Sequence, residues 1–463
     1  MVGCFVTIYP MESNIVFYGG AGAVTGSNFL LDTGSAKILI DCGLSQGSSD
    51  AQESNWEKFA YDPASITFLV VTHAHIDHVG RIPKLVRDGF HGKIISTEAT
   101  RSLAEPMLMD SMELLGYDAR KHGRPELYNE HDIAKAFTMW EGIPYHEKKD
   151  LGDSVTLELF DSGHILGSAM ARFERGGAHV VFTGDLGGGN SPLLPPTDDI
   201  PGTKYLVMES VYGDRVRAKE DNHKDQLENI IEDTAAKGGT LLIPAFSTER
   251  TQDLLFDIRS LMLERRVPSM PVYVDSPLAQ KITAAYVANP SYFAPAIYER
   301  IKGGENIFAF PELKFVENVD ESRRTAALPG PKIVLAGSGM SNGGRVQGHE
   351  KYVLPDEKST LLIAGYQAAG SLGRRLLEGD KKVRIMGEET IVRSKVEAIY
   401  GYSAHMDGEQ LLEFVNKTAT SLKEVFVVMG EPASAGFLVQ RIRDYLGVKA
   451  IAPGEGSKAS IDF

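Results

Sequence analysis

Three histidines and one aspartate stand within six residues, in the segment His73–His78, whose sequence is HAHIDH. The segment directly follows the apolar run Ile66–Val71, which predicts a buried strand. Imidazole and carboxylate groups are ligands of divalent zinc, and the alternating His73 and His75 can converge on one ion while Asp77 and His78 turn towards a second. Four such groups at a strand end are costly to place for packing alone. The segment therefore predicts a metal centre at the carboxyl end of a strand.

Two further candidate ligands come later in the chain. His164 lies in a glycine-flanked loop, DSGHILGS, that follows a predicted strand ending at Phe160, and Asp185 follows the predicted strand His179–Phe182. A carboxylate such as Asp185 can bridge two metal ions about 3.5–4 Å apart, an arrangement that activates water for in-line attack. These two residues supply the ligands that the first segment lacks.

In this order, Asp41, the His73–His78 segment, His164 and Asp185 resemble the metallo-β-lactamase superfamily. The resemblance implies that Asp41 orients ligands through hydrogen bonds rather than binding metal. It also implies two ligand sets: His73, His75, His164 and Asp185 for the first ion, and Asp77, His78 and Asp185 for the second.

From about Asn222 the chain alternates predicted strands and helices, a rhythm that favours a parallel sheet covered on both faces. Five motifs in and around this part resemble those of the β-CASP domain of nucleic-acid-processing nucleases: Glu209–Arg215 (ESVYGDR), Ile243–Arg250 (IPAFSTER), Asp275–Ala279 (DSPLA), Gly337–Met340 (GSGM) and Tyr402–Asp407 (YSAHMD). That family includes ribonuclease J and the endonuclease of the cleavage and polyadenylation machinery. The chain resembles its short bacterial or archaeal forms.

The expected fold is α/β: a metallo-β-lactamase αββα sandwich with an inserted α/β β-CASP domain of mostly parallel sheet. We place the first domain at residues 1–212 and 380–463 and the insertion at 213–379. The active site is expected in the cleft between the two domains.

The resemblance implies a zinc-dependent nuclease that hydrolyses phosphodiester bonds of RNA through a metal-bound hydroxide. Asp77, Glu209 and His405 are the candidate catalytic residues. Imidazole titrates near neutral pH, so His405 is a candidate general acid for the leaving oxygen. An ion pair with Glu209 would keep it protonated by raising its pKa.

Four residues are candidates for binding substrate. Ser338 and Gly339 lie in a glycine-rich loop between a predicted strand and a predicted helix, where backbone amides can cradle a phosphate. Arg250 and Arg345 can pair with phosphate in a bidentate manner.

The chain departs from the family pattern at Met429, where the family usually carries a histidine that would bind the second ion. A thioether is a poor zinc ligand, so two zinc ions are expected with the second site weakened. Related nucleases that act on DNA tend to have an apolar residue here, which makes DNA the alternative substrate. A catalytically weakened nucleic-acid-binding subunit is a second alternative, and a hydrolase of small molecules is disfavoured by the inserted domain.

Charge and composition limit the partners. The 48 basic and 62 acidic residues give a net charge of −14, which excludes general coating of nucleic acid by a basic surface. RNA, or alternatively single-stranded DNA, is expected in the cleft, and a homodimer would extend the contact. No apolar run is long enough to span a membrane. The lack of a signal-like N-terminus and the presence of only Cys4 and Cys42 predict a cytoplasmic protein.

Overall fold

A computed structural model describes residues 13–216, 222–365, 367–368 and 370–463. Cys4 and the N-terminal residues behind the prediction of a cytoplasmic protein lie outside these ranges, and Cys42 is a buried free thiol. Within the described ranges, no helix has the length and apolar character needed to cross a membrane. The cytoplasmic location stays a prediction.

The strands are short, and many are bounded by glycine or polar turn residues. In chain order they are β1 (Ser13–Gly19), β2 (Asn28–Asp32), β3 (Lys37–Ile40), β4 (Phe68–Val70), β5 (Lys93–Ser96), β6 (Trp140–Gly142), β7 (Lys149–Gly152), β8 (Val155–Asp161), β9 (Ala169–Arg175), β10 (Ala178–Phe182), β11 (Tyr205–Met208), β12 (Thr240–Pro244), β13 (Val272–Asp275), β14 (Leu313–Phe315), β15 (Lys332–Ala336), β16 (Thr360–Ile363), β17 (Lys382–Ile385), β18 (Glu388–Ile391), β19 (Lys395–Ala398), β20 (Glu424–Val427), β21 (Ala450–Ile451) and β22 (Lys458–Ile461).

The helices range from single turns to the long helix α4. They are α1 (Ser49–Glu53), α2 (Ile76–Val79), α3 (Ile82–Arg87), α4 (Glu98–His122), α5 (Glu130–Thr138), α6 (His223–Ala236), α7 (Arg250–Leu263), α8 (Pro277–Ala288), α9 (Pro295–Lys302), α10 (Val319–Ala327), α11 (Val346–Val353), α12 (Leu372–Leu377), α13 (Gly408–Asn416) and α14 (Pro432–Leu446).

The described chain divides into two compact units. The first unit comprises the described residues within Met1–Gly188, Pro196–Arg217 and His405–Phe463, and the second comprises those within Gly189–Pro195 and Ala218–Ala404. This division places β17, β18 and β19 in the second unit, whereas the predicted domain boundary assigned them to the first. The physical reason is that β19 pairs in parallel with β16 along the edge of the second unit's sheet.

Two seven-stranded sheets form the centre of the first unit. Their strand orders are β22-β1-β2-β3-β4-β5-β6 and β21-β20-β11-β10-β9-β8-β7. Alternate apolar side chains of both sheets meet in one buried core, with Ile38 from the first sheet and Val155, Phe173, Phe182 and Phe426 from the second. Burying apolar side chains from two facing sheets is the main stabilising term for such a sandwich.

Helices cover the outer faces of the two sheets. On the second sheet, Leu411 of α13 and Leu438 and Ile442 of α14 pack against Val181 and Leu206. On the first sheet, α4 lies against β6 and α5. The predicted α/β sandwich with helical outer layers is therefore confirmed.

The second unit is built on a six-stranded sheet of order β14-β13-β15-β12-β16-β19, and every pairing within it is parallel. Its strands β12, β15 and β16 are buried throughout, as expected for strands covered on both faces. The predicted insertion with a parallel sheet is confirmed.

Candidate metal centre

The carboxyl ends of strands in the two sheets of the first unit place the predicted ligands. Asp41 follows β3, His73 comes three residues after β4, and Asp185 comes three residues after β10. His164 follows β8 in a tight loop whose amides at 163, 164 and 165 are held by side chains within the same loop. β3 and β4 are parallel neighbours, and β8 and β10 run in the same direction because each pairs antiparallel with β9. Strands that run in the same direction have their carboxyl ends at the same edge of a sheet, so residues far apart in sequence converge there.

Four of the predicted ligands form one compact group. The ligand atoms of His73, His75, His164 and Asp185 all lie within 4.8 Å of one another. His75 Nδ1 is 3.1 Å from His73 Nε2 and 3.2 Å from His164 Nε2. Asp185 Oδ2 lies 3.4 Å from His73 Nε2 and from His164 Nε2. Three nitrogens and one oxygen thus face a common point.

Whether these residues fit a metal ion can be judged from the hydrogen-bond partners that their buried polar atoms have or lack. Among the described residues, His78 Nε2 and Asp185 Oδ1 are buried, 3.4 Å apart, and have no hydrogen-bond partner. Buried polar atoms are costly when unpaired, and three imidazoles that face one another cannot all satisfy each other. A divalent cation would satisfy these groups together. The donor set of imidazole nitrogen and carboxylate oxygen is the one zinc favours, so the residues fit the metal that the sequence predicts.

The predicted ligands of the second ion lie beside this group. His78 Nε2 is 3.4 Å from Asp185 Oδ1 and 3.9 Å from Asp77 Oδ2. Asp77 is in the first turn of α2, and its carboxylate is 19% exposed, whereas the His78 ring is fully buried. Asp185 therefore stands between the two predicted ligand sets.

Asp41 is the hub of a buried hydrogen-bond network. It accepts hydrogen bonds from Ser27 Oγ (3.0 Å), from the amide (2.8 Å) and hydroxyl of Thr72, and from His78 Nδ1 (2.7 Å). These bonds fix which nitrogen of His78 faces Asp185. Sequence reasoning missed Ser27 and Thr72. For Thr72, the one sequence signal of a role at the site was its position directly before His73. Ser27 had no such signal, because it reaches Asp41 only through the pairing of β2 with β3.

Replacing Asp41 with asparagine is expected to weaken metal binding about 10- to 100-fold, because the partners that orient metal ligands carry effects of this size. Metal titration followed by calorimetry would measure the change. An exposed carboxylate of the same unit, changed as Asp150→Asn, is the matched control and should leave the affinity unaltered. Equal affinities in the Asp41 variant and the wild type would contradict the orienting role.

Two glycines allow the loops of the site to approach one another. A side chain on Gly43 would place its Cβ 1.5 Å from the carbonyl oxygen of Asp77, and one on Gly187 would place it 1.9 Å from that of Gly163. Neither neighbour can yield, because both are backbone. Only glycine can therefore occupy positions 43 and 187 without moving the backbone of the neighbouring loop.

Burial and charge set the protonation of the group. Burial would raise the pKa of Asp185, but His78 and His73 outweigh it and hold the pKa well below the usual range. Burial would lower the pKa of His78, but Asp185 and Asp41 raise it well above its ordinary value. For His75 and His164, burial and neighbouring imidazoles lower the pKa. His75 and His164 are therefore neutral and Asp185 is ionised, which are the forms that bind metal, whereas a metal ion at His78 would have to displace its proton.

Glu209 and His405 form a pair beside the same group. His405 Nδ1 lies 3.1 Å from Glu209 Oε1 and 3.3 Å from Oε2. Glu209 is fully buried and accepts the amide of Leu186 at 2.6 Å. The His405 ring centroid is 4.6 Å from that of His164, and Asp185, Glu209 and His405 form a second group whose atoms lie within 4.8 Å of one another. Burial would lower the pKa of His405, but the Glu209 carboxylate outweighs this and raises the pKa to about 9.

Met429 follows β20 and is buried in the core between the two sheets. Its amide donates to Gly20 O at 2.6 Å, and its backbone has a positive φ of 47°. Met429 also lines a small internal cavity with Asp41, Thr183 and Glu209. Met429, at the position where the resemblance predicts a histidine, thus packs as an apolar residue and lines the same cavity as Asp41 and Glu209.

The four predicted substrate-binding residues belong to the second unit. Arg345 donates to Asp275 at 2.8 Å and to the carbonyls of residues 316 and 317, and Arg250 is buried against Ala364 O and Glu249. The hydroxyl and amide of Ser338 both donate to Gly343 O, and Gly339 packs against Phe246. Local partners thus engage both arginines, and phosphate binding by these residues stays a prediction.

Three sequence models match successive parts of the chain. That of the metallo-beta-lactamase superfamily matches residues 21–212, the Beta-Casp domain matches residues 251–376, and the Zn-dependent metallo-hydrolase RNA specificity domain matches residues 390–453. The candidate metal ligands fall in the first of these ranges and His405 in the last.

Curated relatives align over most of the chain. Ribonuclease TTHA0252 of Thermus thermophilus is 35% identical over 402 residues, which are 87% of this chain and 90% of the relative. Transcription termination factor FttA is 31% identical over 451 residues in Methanosarcina mazei (94% of this chain, 69% of the relative) and 31% identical over 432 residues in Methanocaldococcus jannaschii (90% and 67%). A crystal structure of a protein of unknown function from Enterococcus faecalis V583 has a TM-score of 0.55 at 13% identity, covers 97% of this chain and 100% of its own, and shows the fold alone.

Proposed function

We propose that this chain, which belongs to the metallo-β-lactamase superfamily and to its β-CASP family, is a metal-dependent nuclease that hydrolyses phosphodiester bonds of RNA. The observation that carries the proposal is the pairing of His405 with buried Glu209 next to the His73, His75, His164 and Asp185 group. A proton donor beside a metal site is what the hydrolysis of an unactivated phosphodiester needs. The names of the relatives, a ribonuclease and a transcription termination factor, support RNA as the substrate.

Zinc is the proposed metal, with two ions and a weaker second site. His73, His75, His164 and Asp185 would hold the first ion, and Asp77, His78 and Asp185 the second. When bound, such ions supply positive charge for the non-bridging phosphate oxygens and activate a water molecule. Asp41 would keep His78 in the tautomer that presents Nε2 to the site.

The protein's own groups would control the proton of the leaving oxygen. Glu209 holds His405 through Nδ1, so Nε2 is the atom that can donate a proton to the substrate. With a pKa of about 9, His405 is protonated at neutral pH and ready to act as general acid. Asp77, the least buried of the carboxylates around the metal group, would face the attacking water.

Replacing Glu209 with glutamine is expected to move the alkaline limb of the pH–rate profile to lower pH. In the wild type, the acid form of His405 persists below pH 9 and is lost as the pH rises through about 9. Without the carboxylate, burial lowers the pKa of His405, so the acid form is lost at lower pH. The profile of kcat/KM for RNA cleavage would measure the shift. The exposed Glu147→Gln is the matched control, and an unmoved limb in the Glu209 variant would contradict the ion-pair role.

Incubation of metal-replete protein with end-labelled single-stranded RNA and DNA of the same sequence would test the function directly. Cleavage of RNA, abolished by a chelator and restored by added zinc, is the expected result. Cleavage of DNA alone would favour the DNA-directed alternative, and binding without cleavage would favour a weakened nucleic-acid-binding subunit. The product ladder would also distinguish internal from terminal cleavage.

Replacing Met429 with histidine is expected to raise the metal content of the purified protein towards two ions per chain, because an imidazole would replace a thioether near the predicted second site. Elemental analysis after dialysis against a weak chelator would measure the stoichiometry. Met429→Leu, which keeps an apolar side chain of similar volume, is the control. Unchanged metal content in the histidine variant would refute this account of the second site.

A further inference from the structure

An unusual set of aromatic and arginine side chains leads away from His405 across the surface of the first unit. We propose that these residues, which we call the aromatic row, stack with the bases of a single-stranded RNA whose scissile phosphate lies at the metal group. The proposal rests on the proposed function and adds a binding surface to it. The aromatic row consists of Tyr212, Arg215, Phe437, Arg441 and Tyr445.

Contacts connect the aromatic row to the site step by step. The Tyr212 ring lies 5.7 Å from the His405 ring, edge to face, and the Arg215 guanidinium lies 5.3 Å from the Tyr212 ring centre. The carbonyl of Arg215 accepts the amide of Gly408 at 2.8 Å, and Arg441 donates to the carbonyl of Gly408 at 3.5 Å. Tyr212 thus contacts the proposed general acid, and the backbone of Gly408 links Arg215 to Arg441 on α14.

The outer part of the aromatic row lies on one face of α14. Phe437, Arg441 and Tyr445 are spaced by four residues, so each lies about 6 Å further along the same helix face. The Arg441 guanidinium is 5.9 Å from the Phe437 ring and 5.5 Å from the Tyr445 ring. Phe437 is 46% exposed and Tyr445 is 71% exposed. The two exposed rings flank Arg441, whose side chain is 16% exposed, so the rings themselves supply most of the stacking surface on this face.

Packing of the fold does not account for these exposed rings. The opposite face of α14 buries Ala435, Leu438, Val439 and Ile442 and supplies the apolar surface that holds the helix to the second sheet. A solvent face usually carries charged or polar side chains, and exposed aromatic side chains that line up are a mark of binding surfaces.

The chemistry of the aromatic row favours the bases of a nucleic acid over its phosphates. Glu409 holds Arg441 at 2.8 Å, and Asp214 lies 3.7 Å from Arg215, so carboxylates offset both charges. Aromatic rings and guanidinium planes stack with any base, whatever the sequence. Binding through stacking also agrees with a net charge of −14, which disfavours recognition of the phosphate backbone by a basic surface.

The proposal can be tested by measuring how tightly the zinc-loaded protein binds fluorescent RNAs. These RNAs carry phosphorothioate linkages, which resist hydrolysis. Phe437→Ala and Tyr445→Ala are each expected to raise the Kd for an RNA of about 20 nucleotides at least about fivefold, the lower end of what loss of a stacking ring costs. The same variants should change the Kd of a trinucleotide less than that of the longer RNA, because a shorter RNA contacts fewer stacking rings. Tyr445→Phe keeps the ring and should retain wild-type affinity.

Tyr117→Ala is the matched control, because Tyr117 is 68% exposed on α4, in the helical layer over the other sheet of the same unit. Unchanged affinity for the longer RNA in both alanine variants would overturn the proposal. The proposal would also be overturned if the alanine variants lost self-association in analytical ultracentrifugation but kept their RNA affinity. That result would assign this face to contact with a second copy of the chain. Failure of the wild type to cleave RNA would instead contradict the proposed function, and the cleavage assay reports that separately.

Discussion

Replacing His164 with alanine is expected to abolish RNA cleavage, lowering kcat/KM by at least about four orders of magnitude, beyond the 10²–10⁴ that loss of a general acid or base costs. His164 Nε2 lies 3.2 Å from His75 Nδ1 and 3.4 Å from Asp185 Oδ2, so its removal leaves the first metal group with three ligands. Metal content should fall together with activity, because the ion needs His164 as a ligand and catalysis needs the ion. Asp77→Ala should also abolish cleavage.

Rates on end-labelled RNA, together with elemental analysis of the same preparations, would measure both effects. His131→Ala is the matched control because His131 is exposed on α5, outside the metal group. Circular dichroism would show that the variants fold. Retained cleavage in a folded His164 variant that has lost its metal would refute the assignment of this group as the active site.

The candidate ligands can be picked out in the sequence because each follows a recognisable strand, and their binding of metal stays a prediction. The run Ile66–Val71 and the dense His73–His78 segment are local signals, and the order of the remaining ligands along the chain resembles the family pattern. The fold class follows from the same strand and helix rhythm. The parallel sheet of the second unit was predictable since its central strands β12 and β15 are buried along their whole length.

Other features depend on tertiary contacts that no local pattern records. Ser27 reaches Asp41 only because β2 pairs with β3, and β19 joins the second unit only because it pairs with β16. The partners of Arg345 are likewise non-local, since Asp275 lies 70 residues away in sequence. A sequence shows that an arginine is present, but the contacts of the folded chain decide which carboxylate it meets.

Replacing His405 with alanine is expected to lower the rate of RNA cleavage about 10²- to 10⁴-fold, the usual contribution of a positioned general acid. The loss should be far smaller for a phosphodiester with a p-nitrophenolate leaving group, because that group departs without a proton. The wild-type alkaline limb near pH 9 should be absent from the variant's profile for RNA, since the group that titrates there has gone. Comparison of the two substrates measures the proton-donor role itself.

Equal losses on both substrates would mean that His405 does something other than protonate the leaving oxygen. One such role would be metal binding. The ligand atoms of Asp185, Glu209 and His405 lie within 4.8 Å of one another, so these residues could together hold a metal ion. Under that reading, metal content would fall in the His405 variant, whereas a general acid can be removed with the metal retained. Elemental analysis of His405→Ala therefore separates the two roles, and we expect its metal content to equal that of the wild type.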